Sequence, residues 1–378
     1  MSDKKYTPQP GQKTITLALQ GGGSHGAFTW GVLDYLLEDG RLHVEAISAT
    51  SAGTMNACAF AYGLQLGGPE KAREILHDFW WKVHDYGGTG YSPFKNTPWE
   101  NFMLGKNFFG GENPFYFAMD SFTRMFSPYQ TNPFDFNPLK DVLEKVIDFE
   151  AIKACDCIKL YISTTHVKTG KVRIFTIDEL SMDVVLASAC LPYVFKAVNI
   201  DGEDYWDGGY SGNPALFPLY YDTKSNDLMI VHINPIEIPE TPTDAAGIID
   251  RINEISFNGS LLKEMRSISF VKKLVENKML KEEYQDDFKD LLVHSIRADE
   301  ALQGLGVSSK FDSDWDFLQK LRDLGRQTMK NWLEENFDKI GVEDTVDLHG
   351  EFLYSISRVF DEKIEAIKSR KKPKKPKK

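Results

Sequence analysis

Residues 13–20, KTITLALQ, form an apolar and β-branched run that ends at three glycines, which predicts a buried strand. From Gly26 the spacing changes to helical: Phe28, Val32, Leu33, Leu36 and Leu37 share one face, and Gly40 closes the segment. A second short strand, HVEAISA, covers 43–49. A turn at Thr50-Ser51-Ala52-Gly53 then opens a helix, TMNACAFAYGL. Strand, turn and helix repeated twice imply an α/β unit around a largely parallel sheet.

Residues 86–137 break the pattern. Fifteen of them are Phe, Tyr or Trp, set among Gly, Pro and Asn without helix or strand period. The segment reads as an insertion folded over the core, either a cover over an apolar pocket or a satellite core packed on the main domain. A helical pattern resumes from Pro138 to Ile152. Strands are expected at 158–164 and 171–176, a helix at 181–190, and strands at 197–200 and 227–233. From 247 onward the pattern is mostly helical. The expected organisation is a disordered N-terminus at 1–12, an α/β domain at 13–240, a mostly helical region at 241–362 and a basic tail at 363–378.

Composition adds limits. The hydrophobic share of 42% and charged share of 26% are those of an ordinary globular protein. The N-terminus MSDKKYTPQPGQ has no apolar core for a secretory signal, and no run of about 18 apolar residues predicts a membrane span. Cys58, Cys155, Cys157 and Cys190 are too few and too irregular for a disulfide framework. Reduced thiols in a cytoplasmic protein are expected. The net charge of −11 hides a tail that carries +8, so the rest stands at −19. An acidic body argues against nucleic-acid binding. The tail could meet anionic lipid headgroups, which would make the protein peripheral to a membrane.

Three short segments carry candidate chemistry. Ala49-Thr50-Ser51-Ala52-Gly53, between strand and helix, nearly matches the G-x-S-x-G nucleophile elbow. Small neighbours keep the Ser51 hydroxyl accessible, and the helix N-terminus points its positive dipole end there. An N-cap serine would fit the same position. Gly21-Gly22-Gly23-Ser24-His25-Gly26 offers consecutive backbone N–H groups to an anion, such as the oxyanion of acyl transfer. Gly21-x-Gly23-x-x-Gly26 also satisfies a dinucleotide fingerprint with Glu45 downstream, but Glu45 lies inside the second strand, where it could not reach a ribose. Finally, Asp207-Gly208-Gly209 ends a short strand. The pair of glycines leaves the carboxylate open to a neighbouring hydroxyl, for which it could act as general base; an ordinary Asp-Gly turn is the plainer reading.

Taken in this order, the glycine run, the serine elbow and D-G-G resemble the patatin-like phospholipases, most of all the bacterial members. Ala187-Ser188-Ala189-Cys190-Leu191-Pro192 resembles the family's A-S-x-x-x-P segment. The resemblance covers roughly 13–235. It implies a three-layer α/β sandwich and a lipid acyl hydrolase that needs no cofactor or metal. Ser51 would be the nucleophile and Asp207 its base. Gly21, Gly22, Gly23, Ser24 and Gly26 would form the oxyanion loop, supported by Ala49, Gly53, Gly208 and Gly209. The partner is a lipid or phospholipid substrate; nucleic acid is not expected.

Two positions depart from the family. His25 stands where Arg or Lys is usual, and Ala49 stands where Gly is usual. The first leaves open whether a fixed positive charge reaches the oxyanion loop, because imidazole is mostly neutral near pH 7. Two other readings remain: a Ser-His-Asp esterase using His166, His232, His294 or His349, and a non-catalytic lipid-binding module on the same fold.

Overall fold

Ile15, Leu17 and Leu19 face one side of the first strand and Ala18 faces the other, and each side packs into its own apolar cluster. A strand buried on both faces requires helices above and below it. The computed structural model describes residues 6–88, 127–281, 288–302, 305 and 307–352. Its sheet has eight strands: β1 (Lys13–Leu19), β2 (Leu42–Ala49), β3 (Lys159–His166), β4 (Val172–Thr176), β5 (Val198–Ile200), β6 (Glu203–Asp207), β7 (Asp227–Val231) and β8 (Leu292–Ile296). The order is β5-β6-β3-β2-β1-β7-β8, with β4 paired to β3. Strands β3, β2, β1, β7 and β8 run parallel, whereas β4, β5 and β6 add antiparallel pairs at the β3 side.

The described helices of seven residues or more are α1 (Gly26–Asp39), α2 (Ala52–Gly67), α3 (Pro69–Gly88), α4 (Pro138–Val146), α5 (Met182–Ser188), α6 (Ala245–Glu276) and α7 (Trp315–Asn336). Helices α1, α2, α3 and α7 join the cluster on the Leu17 face. Leu261, Met265 and Ile268 of α6 pack on the Ala18 face. This is the expected three-layer arrangement around a mostly parallel sheet.

The segment after 241 is mainly helical, yet it also supplies β8, an edge strand parallel to β7. The five residues LVHSI were missed because His294 and Ser295 interrupt the apolar run. Helix α7 is seated on α1 through backbone contact. A Cβ on Gly31 would collide with the Arg322 carbonyl, and one on Gly325 with the Phe28 carbonyl.

One expectation is corrected. Cys155 and Cys157 are joined in a disulfide, and Cys58 and Cys190 alone are free and buried. The two residues stand on a tight turn with Cα atoms 5.2 Å apart, within disulfide range. Sequence spacing could not show that turn. Most of the aromatic insertion (89–126) and the basic tail lie outside the described residues. No described helix is long and apolar enough to cross a membrane.

Candidate active site

In the parallel sheet, Leu19 is in register with Ala49 on one side and with Val231 on the other. The segments leaving β1, β2 and β7 therefore emerge together at the carboxyl end. The chain winds from β1 to β2 and β3 on one side, and β7 lies on the opposite side of β1. Such a reversal leaves a crevice between loops, the usual ligand site of open α/β sheets. The glycine run, the Ser51 turn and the 232–234 segment meet there.

Ser51 has φ 52° and ψ −121°, a backbone that side-chain-bearing residues rarely adopt. Such strain costs on the order of 1–3 kcal/mol and persists only where the surroundings enforce it. Here they do. Ser51 N–H donates to Ser188 Oγ at 3.0 Å, and Gly53 N–H donates to the Thr50 carbonyl at 2.9 Å. Thr50 Oγ1 donates to the Gly212 carbonyl at 2.7 Å. A Cβ on Gly53 would collide with the Leu19 carbonyl, so the turn lies flat against the end of β1. The Ser51 side chain caps no helix N–H. The N-cap reading therefore fails, and the hydroxyl is free to face the crevice.

Ser188 closes this support. Its hydroxyl donates to the Ser163 carbonyl at 2.9 Å, so at 2.9 Å it must accept from Thr54 Oγ1, as it also accepts from Ser51 N–H. The sequence flagged Ser188 only as part of a motif; its task is to hold the elbow. Ser188→Ala should orphan a buried N–H, which costs about 1–3 kcal/mol. We expect the thermal midpoint to fall and kcat to drop with KM little changed. Wild-type kcat in a folded Ser188→Ala protein would show that the elbow holds without it.

Asp207 ends β6 at 1% exposure. Its Oδ1 accepts the Gly209 N–H at 2.7 Å. Burial pushes its pKa from 3.8 to about 7, against the Gly209 N–H, the Ser51 hydroxyl and the Lys310 charge, which favour the anion. The Ser51 side chain thus stands close to the carboxylate. Oδ2 is buried and makes no close hydrogen bond among the described residues. Gly208 has no room for a Cβ, which would strike the Ser163 carbonyl.

The glycine run divides into two kinds of N–H. Gly21 N–H donates to Asn213 Oδ1 at 2.7 Å, and Gly26 N–H is taken by the Gly23 and Ser24 carbonyls. These two glycines are therefore removed from the expected donor set. Each serves close approach instead: a Cβ on Gly21 would stand 2.6 Å from Ser51 Cβ, and one on Gly26 would stand 2.6 Å from Ala52 Cβ. Gly22, Gly23 and Ser24 donate their N–H groups to nothing among the described residues. Gly23 has φ 60°, which glycine adopts without strain.

These groups line one cavity of about 330 Å³. Gly22, Gly23, Ser51, Asp207 and Lys310 form its polar end. Phe79, Trp80, Val83, Leu139, Val142 and Leu191 form much of the rest. Tyr86, at the start of the aromatic segment, also lines it.

No histidine is among the described residues of that lining. His25 bonds Ser309 Oγ at 2.7 Å, and burial and the Lys310 charge lower its pKa to about 3. It is neutral and does not replace the family's cation. His166 bonds Thr169 and Glu203, and His294 bonds Asp227 and Thr345. Burial lowers His232 to about 3, with the Arg297 charge adding to the effect. The side chain of His349 lies outside the described set. Glu45 accepts the Lys224 and Ser225 N–H groups ahead of β7, at the opposite end of the sheet. The dinucleotide reading is removed with it.

Besides Ser188, sequence reasoning missed three supporting amides and Lys310. Gln20 Oε1 accepts the Ile233 and Asn234 N–H groups, tying β1 to the end of β7. Asn213 holds Gly21, and Asn234 donates to the Gly21 carbonyl at 2.8 Å. Amides at strand ends beside Gly and Pro were the available signal. Lys310 had none.

A patatin-like phospholipase model matches residues 17–220, just over half of the chain, and the chain belongs to that family. That places it among hydrolases that act on lipids. Among solved structures, VipD from Legionella pneumophila is 13% identical, over 95% of this chain and 75% of that one, with a TM-score of 0.41. ExoU in its heterodimeric complex with SpcU, from the type III secretion system of Pseudomonas aeruginosa, is 12% identical. That match covers 95% of this chain and 60% of the other, with a TM-score of 0.37, so this chain spans less than two thirds of that protein. No curated protein matches the chain by sequence.

Proposed function

We propose that this protein hydrolyses fatty-acyl esters of lipids through an acyl-enzyme on Ser51, with Asp207 as general base. The single observation that carries the reading is the strained Ser51 turn beside a buried carboxylate at the polar end of an apolar cavity. Asp207 takes the Ser51 proton as Oγ bonds to the carbonyl carbon. The carbonyl π pair moves to oxygen, and the free N–H groups of Gly22, Gly23 and Ser24 donate to that oxyanion. Collapse breaks the ester C–O bond, and Asp207 returns the proton to the leaving alcohol. Water then repeats the sequence and releases the fatty acid. The apolar walls would hold the acyl chain. Peripheral contact with a lipid surface belongs to this proposal, as does the division of the chain into a hydrolase domain ending near 240 and a helical region.

A fluorophosphonate probe is expected to label the wild type and not Ser51→Ala. A panel of phospholipid, lysophospholipid and triglyceride substrates should show fatty-acid release that the same variant loses. Equal labelling of both proteins would remove Ser51 from the reaction.

A further inference from the structure

Asp207 is the one carboxylate among the described residues lining the cavity, and the proposed chemistry moves its charge. Before attack the anion is Asp207; afterwards Asp207 is protonated and the substrate oxygen is the anion. In an apolar cavity either anion is costly alone. A fixed cation near both positions would keep the pocket balanced throughout.

Lys310 is the only Lys or Arg among the described residues lining this cavity. It lies in the turn Val307–Phe311, between β8 and α7 and outside the family match at 17–220. Its placement is specific. Lys310 Nζ donates to Asn234 Oδ1 at 3.0 Å and stands 5.4 Å from the centre of the Phe257 ring. Asn234 in turn donates to the Gly21 carbonyl, so one side chain joins the ammonium to the glycine run. The Lys310 backbone presses on the same run: a Cβ on Gly23 would collide with its carbonyl. The neighbouring Ser309 binds His25. Lys310 is thus wedged against the loop that lines the cavity together with Ser51.

We propose that Lys310 is the charge-stabilising residue of the acyl-transfer step, its ammonium offsetting the oxyanion formed when Ser51 attacks an ester. This rests on the acyl-enzyme reading above and adds to it a cation brought by the C-terminal region. Four titratable groups face the ammonium. They are Asp207 at the end of β6, Glu254 and Asp250 on α6, and the neutral His25 in the glycine loop. Burial lowers the Lys310 pKa, while Glu254, Asp250 and Asp207 hold the charge in place.

The test compares Lys310→Met, which keeps the stem and removes the charge, with Lys310→Arg, which keeps the charge. Both are assayed on a neutral short-chain nitrophenyl ester and on a zwitterionic phospholipid, with thermal melts alongside. Lys310→Met should lose about 100-fold in kcat on both substrates, the scale of losing one oxyanion contact. KM should change little, and Lys310→Arg should retain most of the rate. The acid limb of the kcat/KM profile should also shift to higher pH in Lys310→Met, because ionised Asp207 loses a favourable neighbour. Wild-type kcat in Lys310→Met overturns the proposal. So does a loss confined to the phospholipid and expressed in KM, which would assign the ammonium to a headgroup phosphate. Equal loss in Met and Arg variants with lowered melting points would assign Lys310 to packing. Failure of the wild type itself to hydrolyse either ester or to take a fluorophosphonate would instead defeat the acyl-enzyme reading.

Discussion

Asp207→Asn is expected to remove turnover and, at the same time, to raise the melting point of the protein above pH 7. The activity loss follows from replacing the only carboxylate among the described cavity-lining residues by a group that cannot take the Ser51 proton; general bases contribute on the order of 10²–10⁴. The stability gain follows from the same burial. Asp207 titrates at about 7 when folded, against an ordinary 3.8. A raised folded pKa means that protonation favours the folded state. That stability is whole below about pH 4 and is lost as pH rises through 7. Asparagine does not titrate, so its advantage should be absent at pH 4, grow between 4 and 7, and reach about 2–4 kcal/mol at pH 8. Its Oδ1 can still accept the Gly209 N–H. Melts of both proteins across pH 4–8 check this. A difference independent of pH would mean that Asp207 is not held protonated by burial. In the wild type, kcat/KM should rise with pH through about 7 as the base ionises.

Gly325→Leu is expected to destabilise the protein by about 3 kcal/mol or more, the upper range for overpacking, because the obstacle is backbone. Helices α1 and α7 touch through Gly31 and Gly325, and the added side chain would meet the Phe28 carbonyl. A side chain can rotate away from a new neighbour, but a helical carbonyl cannot without breaking its turn. Gly259 in α6 is the control. Nothing lies within 4 Å of a Cβ there, so Gly259→Ala should gain about 0.5–1 kcal/mol from helix propensity. Urea melts of the two variants should move in opposite directions. A Gly325→Leu midpoint equal to wild type would mean that the two helices do not cross at this point.

The local grammar of the site was legible. KTITLALQ before the glycine run and HVEAISA before Thr50-Ser51 are period and composition signals, and β1 and β2 stand within a residue or so of those bounds. Helix α1 ends at Gly40, whose φ of 70° closes it as its position implied. The candidate nucleophile and acid were both marked by small residues around one functional side chain, a pattern that steric need imposes on neighbours in sequence. The limits came where partners are distant. LVHSI carries too short and mixed a pattern to announce an edge strand. Gly21 and Gly22 look alike in the chain, yet one N–H is taken by Asn213 and the other is open.

By itself, then, the sequence determined most of the elements, the strand-turn-helix units, and a small set of candidate residues for acyl-transfer chemistry. These depend on interactions within a few positions of each other. The tertiary structure alone decided which N–H groups remain free, that Ser188 holds the Ser51 turn, that no histidine lines the described cavity, and that Asp207 is buried enough to titrate near 7. It also decided that Lys310, 259 positions from Ser51, lines the same cavity. Desolvation and hydrogen-bond partnership are properties of what surrounds a group in space, and across such separations only the folded sheet brings the surroundings together.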